Sequence, residues 1–264
     1  MGDILTPEFL LRISEPAENI AEQLHIDIIN HIVERMMIRI GRGDNYLLTA
    51  VDKWQIEVLQ DAGYLLEDIQ KEIAKRTKQQ ESEIRDAMID AGVRAIDYDN
   101  AIYEAAGLSP LPLMQSPYLM RLMERNYKKT VNTWKNFTGT FAEESQRLFI
   151  NQCDKAYHLV SSGAISYTAA VRQVVEEVAS EGVVVKYPSG HKDSLETATL
   201  RCIRTGIAQA TGEIQLARMK EMGVSLVITS SHLGARPSHQ TWQGGIYSVN
   251  WNDLDIYETG AKRG

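Results

Sequence analysis

The sequence predicts a mainly α-helical chain, a multi-helix body followed by a small C-terminal α+β module. Three observations carry that expectation. Among 264 residues there are 11 Tyr but only 4 Phe and 4 Trp, and Ala, Glu, Gln, Met, Leu and Ile fill much of the rest, a mix that favours helix over sheet. Apolar residues recur at helical spacing through the first hundred residues, with no strand-like alternation before residue 107. Short β-branched runs bounded by turns appear only after Gly182.

Ser14 with Pro16 predicts the first helix start. Ile20, Leu24, Ile28, Ile32 and Met36 then recur every four residues, beside a second row of Ile29, Val33, Met37 and Ile40. Such a wide apolar face suits more than one packing partner. GRGDN (Gly41 to Asn45) ends the helix, because glycine favours a left-handed cap, and Arg42-Gly43-Asp44 reads as part of that stop rather than as an adhesion motif. A second helix carries Val51, Trp54 and Val58 and is expected to break near Asp61-Ala62-Gly63. Leu65, Ile69 and Ile73 continue the period beyond it. Thr77 with Gln80 predicts a capping box before the stripe Ile84, Met88, Ala91, Ala95, Tyr98 and Ile102.

Residues 107–117 (GLSPLPLMQSP) hold three of the seven prolines and predict an extended connector. It separates an N-terminal helical region, 1–107, from a helical bundle, 116–181. In the bundle, Ser116-Pro117 opens a helix to about Phe137, Thr140 with Glu143 opens one over 140–162, and Ser166 opens one to Glu181. The third region, 182–264, is the α+β module, with short strands expected around 183–187, 226–229 and 246–249. Between the first two, Asp193 with Glu196 is expected to cap a long helix through Met222 that Gly223 stops.

Composition excludes several classes. The net charge of −7 argues against a protein that coats DNA over its whole surface. Cys153 and Cys202 are too few for a disulfide scaffold or a thiolate zinc site, and read as buried structural thiols. His25, His31 and His158, isolated within helices, read as partly buried packing residues. No apolar run approaches the roughly 20 residues of a membrane span, and no secretory signal is recognisable at the N-terminus, so a soluble cytosolic chain is expected. Neither G-x-x-x-x-G-K-[ST] nor a strand followed by G-x-G-x-x-G occurs.

Two segments carry candidate contact chemistry. Arg121, Arg125, Lys128 and Lys135 share one helix face, opposite Met120, Met123, Tyr127, Val131 and Trp134. Such a stripe serves either as a solvated outer face or as a contact for phosphates or an acidic protein surface. The second segment is the loop SSHLGARPSHQTWQGGIYS (Ser230 to Ser248), lying between two expected strands. His232 and His239 offer two metal donors, with Asp253, Asp255 and Glu258 as further local candidates, short of a convincing tetrahedral set. No G-x-S-x-G elbow is present. No catalytic residue, metal or cofactor is therefore assigned. The expectation is structural: Arg236 and the histidines bond loop carbonyls while Trp242 anchors the loop.

Three stretches resemble the phage minor capsid protein 2 family of tailed-phage and prophage head proteins. They are LTPEFLLRISEPAENIAEQLHIDIINHIVERM (Leu5 to Met36) with the Trp54 helix and DAGYLLEDI, then YPSGHKDSLETATLRCIRTGIAQATGEIQLARMKEMG (Tyr187 to Gly223), and the pattern H-x-G-A-R-P-x-H-x-x-W-Q-G. The last is met by His232, Gly234, Ala235, Arg236, Pro237, His239, Trp242, Gln243 and Gly244. The C-terminal part is also distantly similar to the head-morphogenesis domain of phage Mu F-type proteins. Such proteins usually continue into a Gly-Cys and Asn-Cys-Arg-His segment where this sequence reads WNDLDIYETGAKRG, so a cluster needing that segment is not expected. The resemblance implies a non-enzymatic minor structural protein of a tailed-phage capsid, inside the head at the portal vertex and in the host cytoplasm during assembly. It would act in assembly, DNA packaging or DNA delivery. Its implied partners are the portal protein and other head proteins, with packaged DNA as a further partner and no membrane. Two alternatives remain open: a small enzyme or toxin-like module using His232, Arg236 and His239, and a DNA-binding ejected protein using the basic stripe.

Overall fold

The computed structural model describes the main chain of residues 5–40, 51–229, 236–249 and 256–262. The expected stop at Gly41 to Asn45 lies outside the described residues. The fold is mainly α, with a small C-terminal α+β part.

Helix α1 spans Pro7–Ile40. It begins ahead of the expected Ser14–Pro16 start because Thr6 supplies the cap, its Oγ1 accepting from the Phe9 N–H at 3.2 Å. Pro16 lies inside the helix, where it withdraws one N–H from the ladder. Helix α2 runs unbroken over Val51–Ala105. The expected break at residues 61–63 does not occur. Val58, Ala62, Leu65 and Ile69 keep one buried face in register across it, and a Cβ at Gly63 would meet nothing within 4 Å. The glycine therefore costs about 1 kcal/mol of propensity, too little to end a packed helix. Nor is there a capping box at 77–80. Thr77 Oγ1 donates back to the Ile73 carbonyl at 2.7 Å, and Gln80 Nε2 donates to the Ala17 carbonyl at 3.1 Å.

The proline-rich connector holds one 3₁₀ turn, Leu113–Gln115. Ser116 then caps helix α3, Pro117–Ser161, its Oγ accepting from the Leu119 N–H at 3.3 Å. The two expected helices, 116–137 and 140–162, are this single helix. Thr140 caps nothing; its Oγ1 donates to the Asn136 carbonyl at 3.1 Å, and Gly139 faces open space. Helix α4, Tyr167–Glu181, starts as expected at Ser166, whose side chain accepts from the Ala169 N–H.

Strands β1, Val185–Lys186, and β2, Lys192–Asp193, form an antiparallel hairpin. Helix α5, Leu195–Glu221, follows. Its cap is Ser194 rather than Asp193, the Ser194 Oγ accepting from the Thr197 N–H at 3.4 Å. Strand β3, Leu226–Ile228, the single-turn helix α6, Pro237–Gln240, and strands β4, Gly245–Val249, and β5, Ile256–Lys262, complete the described chain. The second sheet is antiparallel in the order β3-β4-β5, with Leu226 opposite Ser248 and Val249 opposite Ile256. The strands expected near 183–187, 226–229 and 246–249 are present, whereas β2 and β5 were not anticipated.

The chain divides into two compact units, residues 1–11, 88–127 and 207–264 in one, and 12–87 and 128–206 in the other. The second holds a continuous apolar core with Leu24, Ile28, Ile32 and Met36 of α1, Trp54 and Leu65 of α2, Phe141 and Phe149 of α3, and Val174 and Val178 of α4. Arg39 is buried in it, ion-paired with Glu57 and Asp61 and set 6.0 Å from the Trp54 ring centre. In the first unit the Leu111 carbonyl accepts from Asn100 Nδ2 at 3.0 Å and from Arg218 Nη2 at 2.5 Å, which ties the connector to α2 and α5. Among the described residues no helix is long and apolar enough to cross a membrane.

Candidate functional site

Of the loop motif, His232 and Gly234 lie outside the described residues, as does the side chain of His239. From Arg236 onward the geometry is defined. Arg236 sits at the start of α6 with extended backbone, Pro237 occupies the first helical turn, and the Gln240 N–H closes onto the Arg236 carbonyl at 3.2 Å. The turn is tied to Thr229 by the Gly244 N–H donating to the Thr229 carbonyl at 3.2 Å and the Thr229 N–H donating to the Gly245 carbonyl at 3.0 Å, and the Trp242 carbonyl gathers three further donors. It accepts from Thr229 Oγ1 at 2.6 Å, Tyr247 Oη at 3.1 Å and the Gly245 N–H at 3.3 Å. Gly244 has φ 67°, a left-handed position that suits glycine. A Cβ at Gly245 would lie 2.8 Å from the Tyr247 ring, so the W-Q-G-G run has steric reasons for its glycines. The Trp242 ring is 42% exposed, and Arg236 is exposed beside it in sequence. Gln243 is half-buried.

The basic stripe on α3 is exposed at Arg121, Arg125, Lys128 and Lys135, and the opposite face buries Met123, Val131 and Trp134. The four cations do not share one environment. Arg125 is ion-paired with Glu213, which also accepts from Asn126 Nδ2 at 2.5 Å. Lys135 pairs with Glu81 at 2.5 Å. Arg121 has no carboxylate partner among the described residues. Exposed pairs such as Arg125–Glu213 contribute about 0–1 kcal/mol, so an incoming acidic group can exchange with them.

A further polar cluster escaped the sequence reading. On the β1–β2 hairpin, the Asp193 Oδ1 accepts from His191 Nε2 at 2.8 Å and from Arg201 Nη2 at 3.2 Å, while the Arg201 guanidinium lies 5.6 Å from the Tyr187 ring centre. Asp193 is buried, whereas His191 and Arg201 are exposed. Burial raises the Tyr187 hydroxyl pKa, and the Asp193 carboxylate beside it adds to the rise. The sequence read YPSGHKDS as a turn and a cap. The residues that meet are spread from 187 to 201, and no spacing rule marks them. This His–carboxylate pair orients an imidazole, and among the described residues no serine, threonine or cysteine side chain hydrogen-bonds to it.

The remaining candidates are packing residues. Cys153 is buried and desolvation drives its thiol pKa far up; Cys202 is pushed up to about 11 by burial and donates to the Thr130 carbonyl at 3.5 Å. His25 Nδ1 donates to Glu196 Oε2 at 3.0 Å and meets Phe141 edge-on. His31 is half-buried, and His158, expected to be partly buried, is exposed with its ring edge against Tyr157. Among the described residues no group of three or more His, Cys, Asp or Glu is placed to hold a metal ion.

The sequence matches the family model described as phage minor capsid protein 2 over residues 5–255. No curated protein and no solved structure gives a significant match.

Proposed function

The chain belongs to the phage minor capsid protein 2 family, and on that premise we propose that it is a minor structural protein of a tailed-phage capsid, held inside the head at the portal vertex. The carrying observation is the extent of the match, which runs from the first helix through the hairpin and the W-Q-G turn rather than around one reactive motif. A phage structural role follows from the family itself. The finer placement rests on the surfaces described above. Helix α2 has 55 residues and α3 has 45, lengths of about 80 and 70 Å at 1.5 Å per residue, and such rods present contact faces along a scaffold.

Docking through the basic stripe fits an acidic chain that must choose one protein surface over bulk DNA. Arg121 is open to a partner carboxylate, and Arg125 is held by an exposed pair that such a carboxylate can replace. The role is in head assembly, packaging or delivery, with other head proteins as partners. No catalytic role is proposed. The test is capture of the chain by purified portal rings across a salt series. Binding that weakens with salt, and weakens further in an Arg121→Glu/Lys128→Glu variant, supports the reading. Binding indifferent to both contradicts it. Preferential retention on duplex DNA over portal would instead favour the ejected DNA-binding protein.

A further inference from the structure

The 3₁₀ turn of the connector and the start of α3 share one outward face. Leu113, Ser116, Leu119 and Leu122 are buried in an inward row that passes without interruption from the turn into the helix. Away from that row, Met114, Tyr118, Arg121 and Arg125 are all exposed, and all four belong to the first of the two units. Met114 is 58% and Tyr118 44% exposed. Arg121 follows Tyr118 by one helical turn and Arg125 by two, about 10 Å along the axis. The backbone under the apolar end is fixed. Leu113 lies so close to α2 that a Cβ at Gly92 would stand 3.0 Å from its Cδ2, and the Leu111 carbonyl holds both Asn100 and Arg218. Apolar side chains carried by an ordered platform are covered at little cost in ordering.

Charge identifies what fits this face. From Ala105 to Met120 the chain has no charged residue. Beyond that run, Arg121 has no carboxylate partner among the described residues, and Arg125 is held by its exposed pair with Glu213. The other acids of the region lie apart from the two arginines. Glu104, one turn beyond Asn100, and Glu221, paired with Arg218 at 3.0 Å, belong to the Leu111 end, while Glu124 is half-buried on the flank of α3. A cover for the face must therefore bring apolar side chains to Met114 and Tyr118 and carboxylates to Arg121 and Arg125. One helix laid along α3 does both, with apolar residues followed by acids one and two turns on. Duplex phosphates would meet the arginines but leave the apolar pair in water, and a wholly apolar surface would strand the arginines.

We infer that Met114, Tyr118, Arg121 and Arg125 form one docking face for an amphipathic acidic helix of another head protein. This face rests on the proposed reading of the chain as a head protein that docks through its basic stripe, and it adds the apolar half of the contact and the character of the partner segment. The experiment is photo-cross-linking in assembled heads with benzoylphenylalanine in place of Met114, the captured peptide being identified by mass spectrometry. The result expected is a peptide of another head protein in which apolar residues are followed within two helical turns by Asp or Glu. Arg121→Glu and Tyr118→Ser, introduced separately and shown by circular dichroism to be folded, each lower the cross-link yield about ten-fold. Capture of DNA, of a second copy of this chain or of a peptide without acids overturns the docking face, as does a yield that either substitution leaves unchanged. The portal placement fails separately. A cross-link to an acidic helix of a head protein other than portal overturns that placement and supports the docking face. Incorporation into heads without any cross-link at Met114 overturns the docking face alone, and absence of the chain from heads overturns both.

Discussion

Gly206 of α5 lies directly against Thr130 of α3: a Cβ at 206 would stand 2.8 Å from the Thr130 Cγ2, closer than real side chains approach. The absence of a side chain at one position therefore sets the spacing of two helices. Gly206→Ala should destabilise the protein by about 1–3 kcal/mol, despite the better helix propensity of alanine. Thr130→Ala in the same chain should recover part of that loss. Urea unfolding midpoints of the two single variants and the double variant measure it, and simple additivity would show that the contact is not tight.

Acid sensitivity follows from Glu196. Burial pushes its carboxyl up, but hydrogen bonds from His25, Ser194 and its own backbone outweigh that effect and bring it from 4.5 down to about 2. Because the folded value is the lower one, this contribution is fully present above the unfolded value and is lost as pH falls from about 4.5 through about 2. Glu196→Gln should lower stability near neutrality and flatten the stability profile through that window. Chemical unfolding at stepped pH reads the slope directly.

Arg218, 1% exposed, holds the connector through the Leu111 carbonyl. Arg218→Met should cost about 2–3 kcal/mol, since it removes a hydrogen bond made by a buried charged donor. Hydrogen exchange localises the effect: amides across residues 107–116 should exchange faster, while those of α4 should not change.

The W-Q-G turn has a similar dependence on the Trp242 carbonyl. Thr229→Val removes its 2.6 Å bond and Tyr247→Phe removes its 3.1 Å bond. Each should cost about 1 kcal/mol and increase proteolytic cleavage between residues 236 and 245. Undiminished protection in both variants would mean that the main-chain bonds to Thr229 hold the turn without them.

Helical periodicity made the body legible. Leu24, Ile28, Ile32 and Met36 are buried as their spacing predicts, and Ser116 and Ser166 cap the helices they were expected to cap. What misled were local signals outweighed by packing. Gly63 and Gly139 fall on open helix surface, where a glycine is tolerated, and Thr77 and Thr140 satisfy their hydroxyls by bonding back along the helix. Strand β2 is only two residues long, and β5 (IYETGAK) lacks alternating hydrophobicity, so neither leaves a periodic trace. The His191–Asp193–Arg201 cluster was equally silent, because its members meet through a hairpin register that spacing does not encode.

The central claim, a minor head protein at the portal vertex, is tested most directly by quantitative mass spectrometry of purified DNA-filled heads assembled with and without portal. The account predicts a few copies per particle when portal is present and loss of the protein when portal is absent. A copy number that does not depend on portal, or absence from all particles, would contradict it.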